Sequence, residues 1–93
     1  MELKDYRAAI DGIDRELLAL FLRRLSLCAD IAAYKREHGL PVYDEAREKE
    51  KLAAVAAQSP AGYEAETAAF FEHVIALCRA SEERLLFKGG KED

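Results

Sequence analysis

The chain has 93 residues, room for one small domain, and small domains bury a modest fraction of their surface, so a stable core is expected to need a partner chain. Its 14 basic and 18 acidic residues give a net charge of −4 with no basic block, which argues against nucleic acid or an anionic membrane as a partner. The opening "MELKDYRAAID" is charged from its second residue and no apolar run approaches the roughly 20 residues of a membrane span, so a cytoplasmic location is expected.

From Leu3 the apolar residues run Leu3, Tyr6, Ile10, Ile13, Leu17, Leu20, a spacing that only a helix places on one side. Gly39 and Pro41 supply its stop, so the first helix is predicted over 3–38, about 54 Å long. Asp44 is a good N-cap for a second helix, predicted over 44–58, which carries Leu52 and Val55 inward and fades at Gln58, Ser59 and Pro60. After a Ser-Pro-Ala-Gly break, Phe70, Phe71, Val74, Ile75, Cys78 and Leu85 mark a third helix over 62–87. The tail 88–93, "KGGKED", reads as disordered. With no strand signal, the class is all-α, one domain over 1–93. Two shorter helices folding back once cover the long seam of the first poorly, so a homodimer along helix 1 is expected. Cys28 and Cys78 lie far apart in apolar surroundings and are expected to be reduced, buried thiols rather than a disulfide.

Four charged residues stand where apolar ones belong. Counting Leu3 as heptad position a, the series continues through Ile10 and Leu17 to Arg24 and then Ile31. Lys35 lies 11 residues beyond Arg24, about 20° away on the helical wheel and about 16 Å along the axis, so both cations look the same way. In helix 2, Glu48, Leu52 and Val55 follow i, i+4, i+7, which turns Glu48 inward; in helix 3, Glu82 lies on the stripe of Cys78 and Leu85. Three of them have a plain reading when taken alone. Arg24 could snorkel to the rim, Glu48 could pair with Lys51 near the positive end of its helix, and Glu82 could be a surface acid. A buried unpaired charge costs several kcal/mol, however, and one shared polar pocket accounts for all four. His38 and His73 are isolated, so no metal site is read, and neither a catalytic nucleophile nor a glycine-rich phosphate loop is present in the pattern.

The segments "YRAAIDGIDRELLAL", "RRLSLCADIAAYK" and above all "LPVYDEARE" resemble the all-helical (AroQ-class) chorismate mutases, and the resemblance runs from about Leu3 to Leu86. It implies three helices per chain in an intertwined homodimer, and conversion of chorismate to prephenate at the branch toward phenylalanine and tyrosine. That rearrangement is pericyclic, so no cofactor is expected; confinement in a chair-like geometry and stabilisation of charge on the ether oxygen suffice. By the same resemblance Arg24 binds a substrate carboxylate, Lys35 serves the ether oxygen and a carboxylate, and Glu48 takes the ring hydroxyl with help from the Asp44 backbone. Arg47 would lie beside the site and orient the acid or a carboxylate. Arg7 matches the family arginine that reaches into the other protomer's site, and the geometry agrees, since 17 residues place it about 25 Å from Arg24 along one helix. Two positions depart from the commonest pattern: Cys78 stands for a serine and Glu82 for a glutamine. Cys78 is a weaker donor, and Glu82 can donate only when protonated, so activity favouring mildly acidic pH is expected. The rival expectations are an isochorismate pyruvate lyase, whose relatives generally lack the acid at Glu48, and a non-catalytic helical dimerisation or regulatory domain.

Overall fold

The computed structural model describes the backbone of residues 1–91 and the side chains of residues 1–86. It contains three helices, α1 (Leu3–His38), α2 (Glu45–Gln58) and α3 (Glu64–Lys91), and among the described residues no strand.

Local chemistry sets the helix ends. At the start of α1 the Glu2 backbone N–H donates to Asp5 Oδ2 at 2.7 Å, satisfying one of the donors that a helix start leaves open. At its end Gly39 adopts φ 65°, and the Gly39 and Leu40 N–H groups return to the Arg36 and Lys35 carbonyls. This left-handed cap favours glycine and turns the chain sharply toward α2. Asp44 caps α2 by accepting from the Arg47 N–H at 3.0 Å. α3 begins two residues later than its apolar spacing predicts, because Gly62 sits at φ 95° and cannot join a right-handed helix. It continues to Lys91, past the predicted stop at Phe87 and through most of the tail expected to be disordered. Gly89 and Gly90 make the earlier stop the natural sequence reading, since each costs about 1 kcal/mol in a helix, a penalty too small to end one. Residues 92 and 93 lie outside the described residues.

α3 packs against both other helices, while α1 and α2 do not touch each other closely. Lys35 meets Glu82 and Arg24 meets Cys78, so α1 and α3 run parallel; Arg79 meets Glu48 and Ser59 meets Thr67, so α2 and α3 run antiparallel. A cleft therefore remains between α1 and α2, with α3 as its floor. The core is small: Cys28, Val74 and Cys78 with Leu25 against them, plus Ala32, Val55 and Ile75. The molecule measures 58 × 27 × 14 Å, and most of the apolar seam of α1 has no cover within the chain. Leu3, Tyr6, Ile10, Ile13, Leu17 and Leu20 are each 45–61% exposed.

Candidate functional site

The cleft holds a cavity of about 430 Å³, lined by α1 through Arg24, Leu27, Cys28, Ile31 and Lys35, by the connection and α2 through Val42, Asp44, Arg47, Glu48 and Lys51, and by α3 through Ile75, Cys78, Arg79 and Glu82. Its volume falls in the range of small-molecule sites, about 300–1,000 Å³. Seven of the eight residues singled out from the sequence thus share one space: Arg24, Lys35, Asp44, Arg47, Glu48, Cys78 and Glu82. Arg7 is not among them; it lies on the exposed N-terminal half of α1.

Lys35 ties the three parts of the site together. Its Nζ donates to the Val42 carbonyl oxygen at 2.7 Å and stands 3.1 Å from Glu82 Oε1. The first contact holds the connection whose Asp44 starts α2; the second pairs α1 with α3. Both side chains are largely shielded, at 17% and 11% exposure, so the pair is screened little by solvent. An ammonium has three donors, and these contacts leave one for a ligand.

Arg24 is differently placed. Its Nη1 donates to Cys78 Sγ at 2.7 Å, and among the described residues no carboxylate lies within ion-pairing distance of it. A half-buried guanidinium whose one side-chain partner is a cysteine sulfur has donors left to offer an anion. Cys78 acts here as an acceptor toward Arg24 rather than as the weak donor expected at that position. Beside it, burial pushes the Cys28 thiol up to about 11 from an ordinary 9.0, helped by its hydrogen bond with Cys78 and by nearby negative charge and opposed by Arg24. Cys28 is therefore a neutral thiol near neutral pH. Both cysteines are free and buried.

Glu48 faces the cavity and pairs across the helices rather than with Lys51. Arg79 Nη1 donates to its Oε1 at 2.7 Å and its Oε2 at 3.0 Å. The same guanidinium stacks over the Tyr43 ring, 4.8 Å from its centroid. Arg47, expected to orient the acid, instead turns outward and pairs with Glu50 at 2.6 Å, with its side chain 62% exposed. The reason is local: adjacent helix positions diverge by about 100°, while a residue three further on lies within easy reach.

Sequence reasoning missed Arg79. The signal existed, because Ile75, Arg79 and Glu82 follow i, i+4, i+7, the spacing that picked out Glu82. Lys51 was noticed only as a surface partner for Glu48, yet it too lines the cavity.

Comparison with known proteins bears directly on this geometry. A family model described as chorismate mutase type II matches residues 6–83. The T-protein of Haemophilus influenzae is 50% identical over 46 residues, which cover 50% of this chain and 12% of that protein. The 3-dehydroquinate dehydratase of Pyrobaculum aerophilum is 35% identical over 74 residues, 80% of this chain and 22% of that protein. The chorismate mutase of Methanocaldococcus jannaschii is 42% identical over 48 residues, 52% of this chain and 48% of that protein. The chain spans less than half the length of each of these relatives. No solved structure matches it.

Proposed function

The chain belongs to the type II chorismate mutase family, and we propose that it rearranges chorismate to prephenate in the cavity between its helices. The observation that carries this reading is the meeting of Arg24, Lys35 and Glu48 in one cavity, cations from α1 facing a carboxylate from α2. Chorismate is a dianion with an ether bridge and a ring hydroxyl, and these three side chains answer its three kinds of polar group.

In this account Arg24 takes one substrate carboxylate, for which its uncommitted guanidinium donors are suited. Lys35, held on two sides by Val42 and Glu82, directs its remaining N–H toward the ether oxygen. As the carbon–oxygen bond of the ether breaks and the new carbon–carbon bond forms, negative charge grows on that oxygen, and a fixed cation stabilises the transition state more than the ground state. Glu82 adds a second donor when it carries a proton. Glu48 accepts from the ring hydroxyl, and the Asp44 backbone assists from the start of the same helix. Cys78 fixes the Arg24 guanidinium, and Arg47 stands at the rim. Leu27, Ile31, Val42 and Ile75 supply the apolar walls that press the substrate into its reactive shape. The chemistry makes and breaks bonds within the substrate alone, so the protein's contribution is position and charge.

The account includes a second copy of the chain. The seam of α1 leaves leucines and isoleucines exposed whose full burial would each contribute about 1.5–3 kcal/mol. Arg7 is too far along the same helix to reach its own cavity, so it serves the site of the other protomer and supplies the second carboxylate's partner. Two buried free thiols suit a reducing compartment, in keeping with a cytoplasmic place of action. Among the described residues no helix is long and apolar enough to cross a membrane.

The test is to incubate the purified chain with chorismate and follow the loss of its ultraviolet absorbance, identifying the product. Prephenate supports the reading. Salicylate and pyruvate formed from isochorismate, with chorismate untouched, would assign the cavity to a lyase, and no turnover of either would leave a helical interaction domain.

A further inference from the structure

We propose that Arg79 is a positioning residue of this site, clamping Glu48 so that its carboxylate meets the substrate hydroxyl and stays off the substrate-binding cations. The inference rests on the mutase reading and adds to it a residue with no part in the roles assigned above.

Three contacts fix the clamp. One nitrogen of Arg79 bridges both oxygens of Glu48, at 2.7 and 3.0 Å, and the guanidinium carbon lies over the Tyr43 ring, 4.8 Å from its centroid. Tyr43 immediately precedes Asp44, the cap of α2, and Glu48 lies in the first turn of that helix. The platform beneath the arginine and the acid in front of it thus belong to one short, capped segment. Arg79 itself is anchored on α3 between the buried residues Ile75 and Glu82. Rotation of the carboxylate would have to break a charge-assisted pair that is only partly exposed, with Arg79 at 33% and Glu48 at 23%.

Charge balance gives the second half of the argument. Besides Asp44, whose side chain is engaged in capping α2, the cavity lining has two carboxylates that could compete with a dianionic substrate, Glu48 and Glu82. Each is answered by one cation from another helix, Arg79 for Glu48 and Lys35 for Glu82. Arg24 and Lys51, which line the cavity with no ion-pair partner among the described residues, are left for the ligand. Without Arg79, the Glu48 carboxylate would turn to the remaining cations of the cavity, and a ligand carboxylate would have to displace it. The clamp leaves acceptor capacity on Glu48, because a carboxylate has about four lone-pair sites and the bridge uses two.

Steady-state kinetics with chorismate test this in four variants, with circular dichroism melting as the folding control. Arg79→Met keeps much of the side-chain volume and should lower kcat about 10-fold, the scale of one charge-assisted hydrogen bond, with a smaller change in KM because the substrate carboxylates keep their partners. Arg79→Lys can still pair with Glu48 and should recover a substantial part of that loss. Glu48→Gln keeps an acceptor and residual turnover; adding Arg79→Met to it should cost less than about 2-fold more, as expected when one residue acts through another. Equal losses in both backgrounds, an unchanged kcat in Arg79→Met, or a lowered melting temperature with kcat intact would each overturn the proposal. If wild type itself leaves chorismate unchanged, the functional reading fails and this role goes with it. If wild type is active and the losses simply multiply, the reading stands and only the clamp is lost.

Discussion

Lys35 on α1 and Glu82 on α3 form an ion pair, Nζ to Oε1 at 3.1 Å, at the edge of the cavity where an ether oxygen would receive its donors. The pairing places an acid where a neutral amide would donate at every pH. Glu82→Gln keeps the shape of the side chain and replaces the carboxylate by an amide whose NH2 can donate to that oxygen, whereas Glu82→Leu offers no donor, so kcat of the first should exceed that of the second about 10-fold. Equal turnover in the two variants would leave the ether oxygen to Lys35 alone.

Glu48→Ala should lower kcat/KM about 10- to 100-fold, the worth of a hydrogen bond to a charged acceptor held in place. The side chain fills a cavity wall and is not part of the Cys28, Val74, Cys78 core, so helix content by circular dichroism should hardly change. Wild-type kinetics in this variant would return Glu48 to the role of a structural partner for Arg79.

The buried Cys28 thiol makes a prediction about stability. Its folded-state pKa is about 11 against an ordinary 9.0, so the folded chain holds the thiol proton more tightly than the unfolded chain does. The corresponding stabilisation is fully present below about pH 9 and is lost as pH rises through 11, on the order of 3 kcal/mol in all. Other groups titrate in the same range, so the readout is a difference. Denaturant unfolding of wild type and Cys28→Ala should show stability falling more steeply with pH in wild type across that window, and equal slopes would contradict the assignment.

Much of this arrangement was legible in the sequence, for reasons that differ by residue. α1 announces itself through Leu3, Tyr6, Ile10 and Ile13, and its end through Gly39, because apolar period and a left-handed cap are local properties. Arg24, Lys35, Glu48 and Glu82 could be grouped because charges on apolar stripes are costly unless they meet. The start of α3 was less legible, since it depends on the backbone angle of Gly62. The partner of Glu48 was not found at all: Arg79 and Tyr43 are 36 positions apart, and only the antiparallel packing of α2 on α3 brings the arginine over the ring. Nor does a helical wheel say that Arg47 turns to Glu50, because the cavity rim and the surface acid are both within its reach.

The central claim is that chorismate is rearranged in a cavity one chain leaves incomplete, and mixed dimers test it most directly. Arg7→Ala and Arg24→Ala should each be nearly inactive in forming prephenate. After the two are unfolded together and refolded at equal concentration, half of the dimers should be mixed, each with one intact site, giving about one quarter of wild-type activity. Recovery to that level is the predicted result. A mixture as inactive as its two components, or an Arg7→Ala protein as active as wild type, would contradict the shared site.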